Sequence, residues 1–146
     1  MYRSLISLIL FLSVSCIALG QKVTYRDETI YVDDAPYAIM KRIGTIMPNF
    51  SIQNLNGEEF AMARYDKVAG NGQRYIITFI GDQKKGMMRA DISFGKKLAK
   101  ELVESHILVN GKFNPDGEKR FLLANPLPDA NADNAPANSN STDNKH

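Results

Sequence analysis

The sequence has no tryptophan, one cysteine and two histidines in 146 residues. A single cysteine excludes a disulfide framework and a thiolate zinc site, and two histidines leave little for other metal chemistry. An excess of one charge is also missing: 18 basic residues against 16 acidic ones give a formal charge of +2. That balance removes the electrostatic case for a nucleic-acid partner. Catalytic signatures are absent too. There is no G-x-S-x-G and no H-E-x-x-H. Gly81-Asp82-Gln83-Lys84-Lys85-Gly86 follows an apolar run like a phosphate loop, but Met87-Met88 stand where Lys-Ser/Thr is required. No cofactor-binding motif is present.

What is there falls into three segments. Residues 1–20 hold one charge, Arg3, then the apolar run Leu5–Leu19 and the small-residue end Ala18-Leu19-Gly20. A basic start, a short apolar run and a small-x-small end predict a secretory signal peptide cut before Gln21. The run is shorter than the ~20 apolar residues of a membrane span, so no span is expected after the signal is removed. An alternative processing route is lipidation of Cys16, which follows Ser13-Val14-Ser15; an acyl chain there would tether the protein to a membrane. Ordinary cleavage leaves a mature chain without cysteine and excludes nucleophilic-thiol catalysis. Residues 124–146 are rich in Asn, Ala, Asp, Ser and Pro, with Leu127 as the one large apolar side chain. Such a segment buries too little to offset the entropy of ordering it, so a disordered tail is expected. Between them, residues 21–123 form one domain, long enough for one small core.

Within the domain, Thr29–Val32 and Ala35–Met40 flank Asp33-Asp34 and predict a β-hairpin in which Ile30 opposes Tyr37. Pro36, which has no N–H, suits an edge strand. Asn49–Asn54 and Glu58–Met62 flank Leu55-Asn56-Gly57 and predict a second hairpin with Gly57 left-handed. Burying Phe50, Ile52, Phe60 and Met62 together pairs Ile52 with Phe60; a two-residue turn would set Ile52 against Ala61. Arg74–Ile80 is apolar at successive positions and reads as a central strand covered on both sides. Gly81–Met88 breaks the pattern. Phe94–Ser105 is an amphipathic helix with Asp91 or Ser93 as cap, Phe94, Leu98, Ala99, Leu102 and Val103 on the apolar face, and Lys97–Glu101 and Lys100–Glu104 as ion pairs. Ile107–Val109 is a short strand, and Pro115-Asp116-Gly117-Glu118 a turn. Strands first and a helix late predict an α+β fold: a curved antiparallel sheet of two β-hairpins and a central strand, covered by one C-terminal amphipathic helix.

Candidate chemistry is sparse. His106 lies at the helix end with no nucleophile motif beside it, so a structural role is expected. The adjacent acids Asp27-Glu28, Asp33-Asp34 and Glu58-Glu59 point to opposite faces of a strand and make no dyad by adjacency. Asp33-Asp34 and Asn114, Asp116 and Glu118 lack the ordered ligand set of a calcium loop. The methionines fit core packing better than copper binding, Met40 and Met62 falling on apolar strand faces. The candidate ligand-binding set is Tyr31, Tyr37 and Tyr75, able to stack on sugars or a peptide, with Lys84 and Lys85, which together with Arg89 suit an anionic glycan or headgroup.

At Thr29–Ala38 and Phe50–Phe60 the chain resembles small exported bacterial proteins of unknown function. The shared features are a leader ending Ala18-Leu19-Gly20-Gln21, the hairpin Tyr31-Val32-Asp33-Asp34-Ala35-Pro36-Tyr37 and the hairpin Leu55-Asn56-Gly57-Glu58. The resemblance carries no activity and no catalytic residue. The expectation is an exported periplasmic or extracellular protein acting as a non-enzymatic module that binds an envelope protein or glycan. The alternatives are a carboxylate-dependent hydrolase of envelope glycans and a lipoprotein held through Cys16.

Overall fold

A computed structural model describes residues 20–68 and 72–128. The expected leader with Cys16, the Gly70-Asn71 connection and the tail beyond Pro128 lie outside the described residues. Seven antiparallel strands follow one another across a single sheet: β1 Val23–Arg26, β2 Thr29–Val32, β3 Ala35–Ile43, β4 Asn49–Gln53, β5 Glu59–Val68, β6 Gly72–Phe79 and β7 Lys85–Arg89. Helix α1 (Phe94–Glu104) follows, then the ribbon β8 (Leu108–Val109) and β9 (Lys112–Phe113), and α2 (Pro115–Ala124). The sheet curls around the helices as a half-barrel, giving an α+β fold. α1 packs along β1 and α2 along β7, so each edge of the sheet has a helix beside it. The enclosed core contains Ile30, Met40, Ile52, Ile77, Phe79, Leu98, Leu102, Ile107 and Phe121, all fully buried.

Two strands of the sheet, β1 and β7, are additional to those the sequence predicted, as is β9 in the ribbon. β1 joins β2 through Asp27-Glu28, and β2 joins β3 through Asp33-Asp34; all four turn residues have positive φ, between 48° and 63°. This is the primed turn that matches strand twist and normally needs Asn-Gly. Here local contacts hold it: Lys22 N donates to Asp33 Oδ1 (2.9 Å), and Arg42 N donates to Glu28 Oε1 (3.0 Å). β7, within the stretch expected to break the pattern, alternates Gly86 and Met88 inward with Lys85, Met87 and Arg89 outward.

Both predicted registers are corrected by bulges. Ile30 opposes Ala38, because Tyr37 occupies the extra place between Pro36 and Ala38. Ile52 opposes Ala61, and Phe60 is the extra residue. The bulge lets Phe60 and Ala61 both turn inward, so the register that pairs Ile52 with Ala61 does not expel Phe60. Met62 instead faces outward opposite Thr78. β3 is an internal strand, yet Pro36 is tolerated because β4 pairs only from Ile39 onward. β6 is covered on one face: Tyr75, Ile77 and Phe79 are buried, while Arg74, Ile76 and Thr78 are half-buried on the other.

α1 buries the five residues its periodicity named, with Ser93 at the N-cap. Asp91 supports that end by accepting from Ser93 N and Oγ, each 2.8 Å, and by pairing with Lys97. Lys97 is therefore turned to Asp91 rather than to Glu101, whereas Lys100 pairs with Glu104 (3.5 Å). The C-terminus is a Schellman closure: Ile107 N donates to Leu102 O and His106 N to Val103 O. His106 takes the left-handed position, φ 54°, usually given to glycine. Pro115–Glu118 is the first turn of α2 rather than an isolated turn. Asn114 Oδ1 accepts from Asp116 N (3.2 Å), and Pro115 supplies the preset φ. Asn125 continues the packed chain past Leu123, its carbonyl accepting from Met87 N at 2.9 Å.

Candidate functional site

The sheet scatters the tyrosines. Tyr75 is 3% exposed, stacks on Phe94 with centroids 3.6 Å apart, and donates its hydroxyl to Pro48 O at 2.9 Å. Tyr37 donates to Leu108 O (3.2 Å) and accepts from Leu108 N (2.9 Å), tying β3 to the ribbon. Burial raises both phenols above their ordinary pKa; Tyr65 raises Tyr75 further, while Arg42 opposes it. Tyr31 lies on β2 beneath the Arg26 guanidinium, 4.4 Å from its ring centroid. These are packing and bracing roles at three separate places.

Lys84 and Lys85 also part company. Lys85 points to the outer face of β7, opposite Thr78. Lys84 turns toward α2 and joins two acids: Asp82 Oδ2 at 2.5 Å and Glu118 Oε1 at 3.4 Å. Glu118 is 4% exposed. Its burial, then the neighbouring Asp82, raise its pKa, and Lys84 opposes them. Asp82 is held below its usual value, chiefly by the hydrogen bond from Lys84. Asp82 and Glu118 are thus two acids brought together from the β6–β7 turn and the first turn of α2, but a lysine sits between them and neither lines the clefts described below. Among the described residues no group of three or more His, Cys, Asp or Glu could hold a metal ion.

A cleft of about 460 Å³ opens where the N-terminus of α1 meets the end of the sheet. Its floor is aromatic: Tyr25, Phe50, Tyr75 and Phe94. Phe94 lies 5.6 Å from Phe50, and Tyr25 donates its hydroxyl to Met40 O at 2.8 Å. Burial and the Glu28 carboxylate raise the Tyr25 phenol, with Arg42 opposing. The rim comes from two loops, Thr45–Pro48 between β3 and β4 and Asp91–Ser93 before α1, with Arg42 and Lys96 beside them. Ile46 on the first loop is 89% exposed and Ile92 on the second is fully exposed; Met47 is half-exposed in the cleft, whereas half-exposed Ile43 shares the outer face of β3 with Lys41. Arg42 and Lys96 make no ion pair among the described residues, because Asp91 is engaged by Lys97.

Neither Arg42 nor Ile92 stands out in the sequence. The available signal is Ile46-Met47 inside a loop bounded by Gly44 and Pro48, where polar residues are the rule. A second, smaller hollow of about 320 Å³ at the opposite end includes Asn54, Phe60, Ile80 and Phe113. No helix among the described residues is long and apolar enough to cross a membrane. No family model matches the chain, and no curated protein and no solved structure is found to be similar to it.

Proposed function

We propose that the protein is an exported, non-enzymatic binding module that recognises another envelope component through the cleft at the α1 end. The observation that carries this reading is that two exposed apolar side chains, Met47 and Ile92, line an aromatic-floored cleft with Arg42 and Lys96 at the rim, and that exposed Ile46 sits on the same loop as Met47. Covering one isoleucine of this kind is worth about 1.5–3 kcal/mol at full burial, so leaving two on adjoining loop tips favours a surface built to be covered. The unpaired cations select an amphipathic partner with an anionic end. The leader-like residues 1–20 support export.

The experiment is a fluorescence titration with ANS, an apolar anion, followed by displacement with envelope extracts separated into protein and glycan fractions. Met47→Ser with Ile92→Ser should weaken ANS binding at least tenfold, and Arg42→Glu should weaken it again, with the melting temperature held. Binding that survives all three changes removes the cleft as the recognition site. The hydrolase alternative would rest on two acids converging in a hollow: Asp82 and Glu118 share Lys84 and line neither cleft, while Glu58 and Glu59 line the smaller hollow, where Asn54 Nδ2 donates to Glu58. The lipoprotein alternative is separated by intact mass: a mature chain starting at Gln21 without acyl mass excludes it.

A further inference from the structure

The outer face of the sheet carries a second feature, remote from the cleft in chemistry and in direction. Strand register lays three rows across it: Lys41–Ser51–Met62–Thr78–Lys85, then Arg64–Ile76–Met87, then Asp66–Arg74–Arg89. The row between the first two, Phe50–Ala63–Ile77–Gly86, turns inward to the core. These three rows gather Lys41, Arg64, Arg74, Lys85 and Arg89 against one carboxylate, Asp66, which pairs with Arg74 at 2.9 Å; the adjoining outer row Ile39–Gln53–Glu59 adds a second, Glu59. Two hollows lie between them, of about 310 Å³ beside Arg64 and Lys85 and about 720 Å³ beside Arg74 and Arg89. Each is lined by a methionine that supports a guanidinium: Arg64 Nε lies 3.1 Å from Met62 Sδ, and Arg74 Nη1 lies 3.8 Å from Met87 Sδ.

One pairing here runs against sheet stability. Arg74 and Arg89 are direct cross-strand partners. Like charges so placed destabilise an antiparallel pair, and Asp66 compensates only one of them. A local conflict with no packing gain is the mark of a site kept for a ligand.

We propose that the outer face of β4–β7 binds an acidic polysaccharide, a chain of carboxylate- or sulfate-bearing sugars. Guanidinium groups pair with such oxyanions in bidentate fashion and keep most of their donors free here. The sheet curls toward its helices, so this face is convex; a linear chain lies across it more readily than a flat bilayer. Lys85 and Arg89 stand four residues apart on one strand, roughly 13 Å, a spread that suits an extended polyanion rather than a single small anion. The three rows hold no aromatic ring, whereas single-stranded nucleic acid is bound by stacking as well as charge.

The test is fluorescence anisotropy of labelled heparin with the full chain, against labelled poly(dT). The wild type should bind heparin more tightly than poly(dT), with affinity falling as salt rises. Arg64→Glu with Arg89→Glu should weaken heparin binding at least tenfold. Arg89→Glu alone should also raise the melting temperature by about 2–4 °C, because the new carboxylate faces Arg74. Unchanged heparin affinity in the double variant overturns the proposal. So does tighter binding of poly(dT), which reassigns the face to nucleic acid, and so does a fall in melting temperature for Arg89→Glu, which removes the conflict on which the proposal stands.

Discussion

Gly117→Ala tests how α2 is seated. A methyl group at Gly117 would stand 2.3 Å from the His106 carbonyl oxygen, 2.7 Å from its carbon and 2.9 Å from Ile107 Cα. All three are backbone atoms at the Schellman closure of α1, so no side chain can swing aside. α2 must therefore retreat. Retreat strains Asn114 N to Ile107 O (2.9 Å), Asn114 Nδ2 to His106 O (2.9 Å) and Arg120 Nε to Ser105 O (3.0 Å). It also loosens Phe121, fully buried against Phe79 with centroids 5.5 Å apart. Overpacking of this kind costs about 1–3 kcal/mol, and each weakened hydrogen bond adds about 1 kcal/mol. Alanine's helix propensity returns at most about 1 kcal/mol. The net expectation is a loss of about 3–5 kcal/mol. For a domain of this size that lowers the melting temperature by upwards of roughly 10 °C. Urea and thermal unfolding of the two proteins under one condition measure it. A variant as stable as the wild type refutes the close packing of α2 on the His106–Ile107 backbone.

Three other predictions follow from the same geometry. His106→Gly should stabilise the protein by about 0.5–1 kcal/mol, because glycine takes the left-handed φ of 54° without a Cβ penalty; unfolding in urea reads it, and a loss contradicts the closure. Asn54→Ala should cost about 2 kcal/mol, since the buried side chain accepts from Asn56 N and Glu58 N, each 3.0 Å, and donates to Glu58 Oε2; a melting temperature unchanged from wild type contradicts that. Glu118 has its folded pKa raised by burial, so its contribution is fully present below the ordinary glutamate value and is lost as pH rises through the raised one. Glu118→Gln, which copies the protonated form, should gain stability relative to wild type between acidic and neutral pH, and a gap that moves the other way contradicts the buried Glu118–Asp82–Lys84 arrangement.

Local chemistry was legible along the chain. Period-two alternation marked the second hairpin, and period-3.6 spacing marked α1 down to its buried residues. The Asp33-Asp34 and Gly57 turns stand where the residue types place them. β1 and β7 escaped because their turn residues, Asp27-Glu28 and Gln83-Lys84, are weak signals, and because Lys-Gly-Met-Met-Arg has little strand propensity. α2 escaped because Pro115-Asp116-Gly117 has turn composition, whereas Asn114 and Pro115 cap and start a helix. Registers were beyond reach for another reason. A bulge at Tyr37 or Phe60 adds one residue to one strand, and whether it forms depends on which side chains the distant helix must bury.

The amino-acid order by itself determined the class of the fold, its two hairpins with the strand after them and the amphipathic helix, because each depends on neighbours within a few residues. Only the tertiary structure decided what those elements present. Arg42 and Met47 meet Ile92 and Lys96 because the sheet curls until its third strand approaches the start of α1. Arg64, Arg74 and Arg89 share one face because three strands settle into one register. Both arrangements come from closing contacts dozens of residues apart, and that closure is governed by the summed burial of the core rather than by the preferences of any single segment.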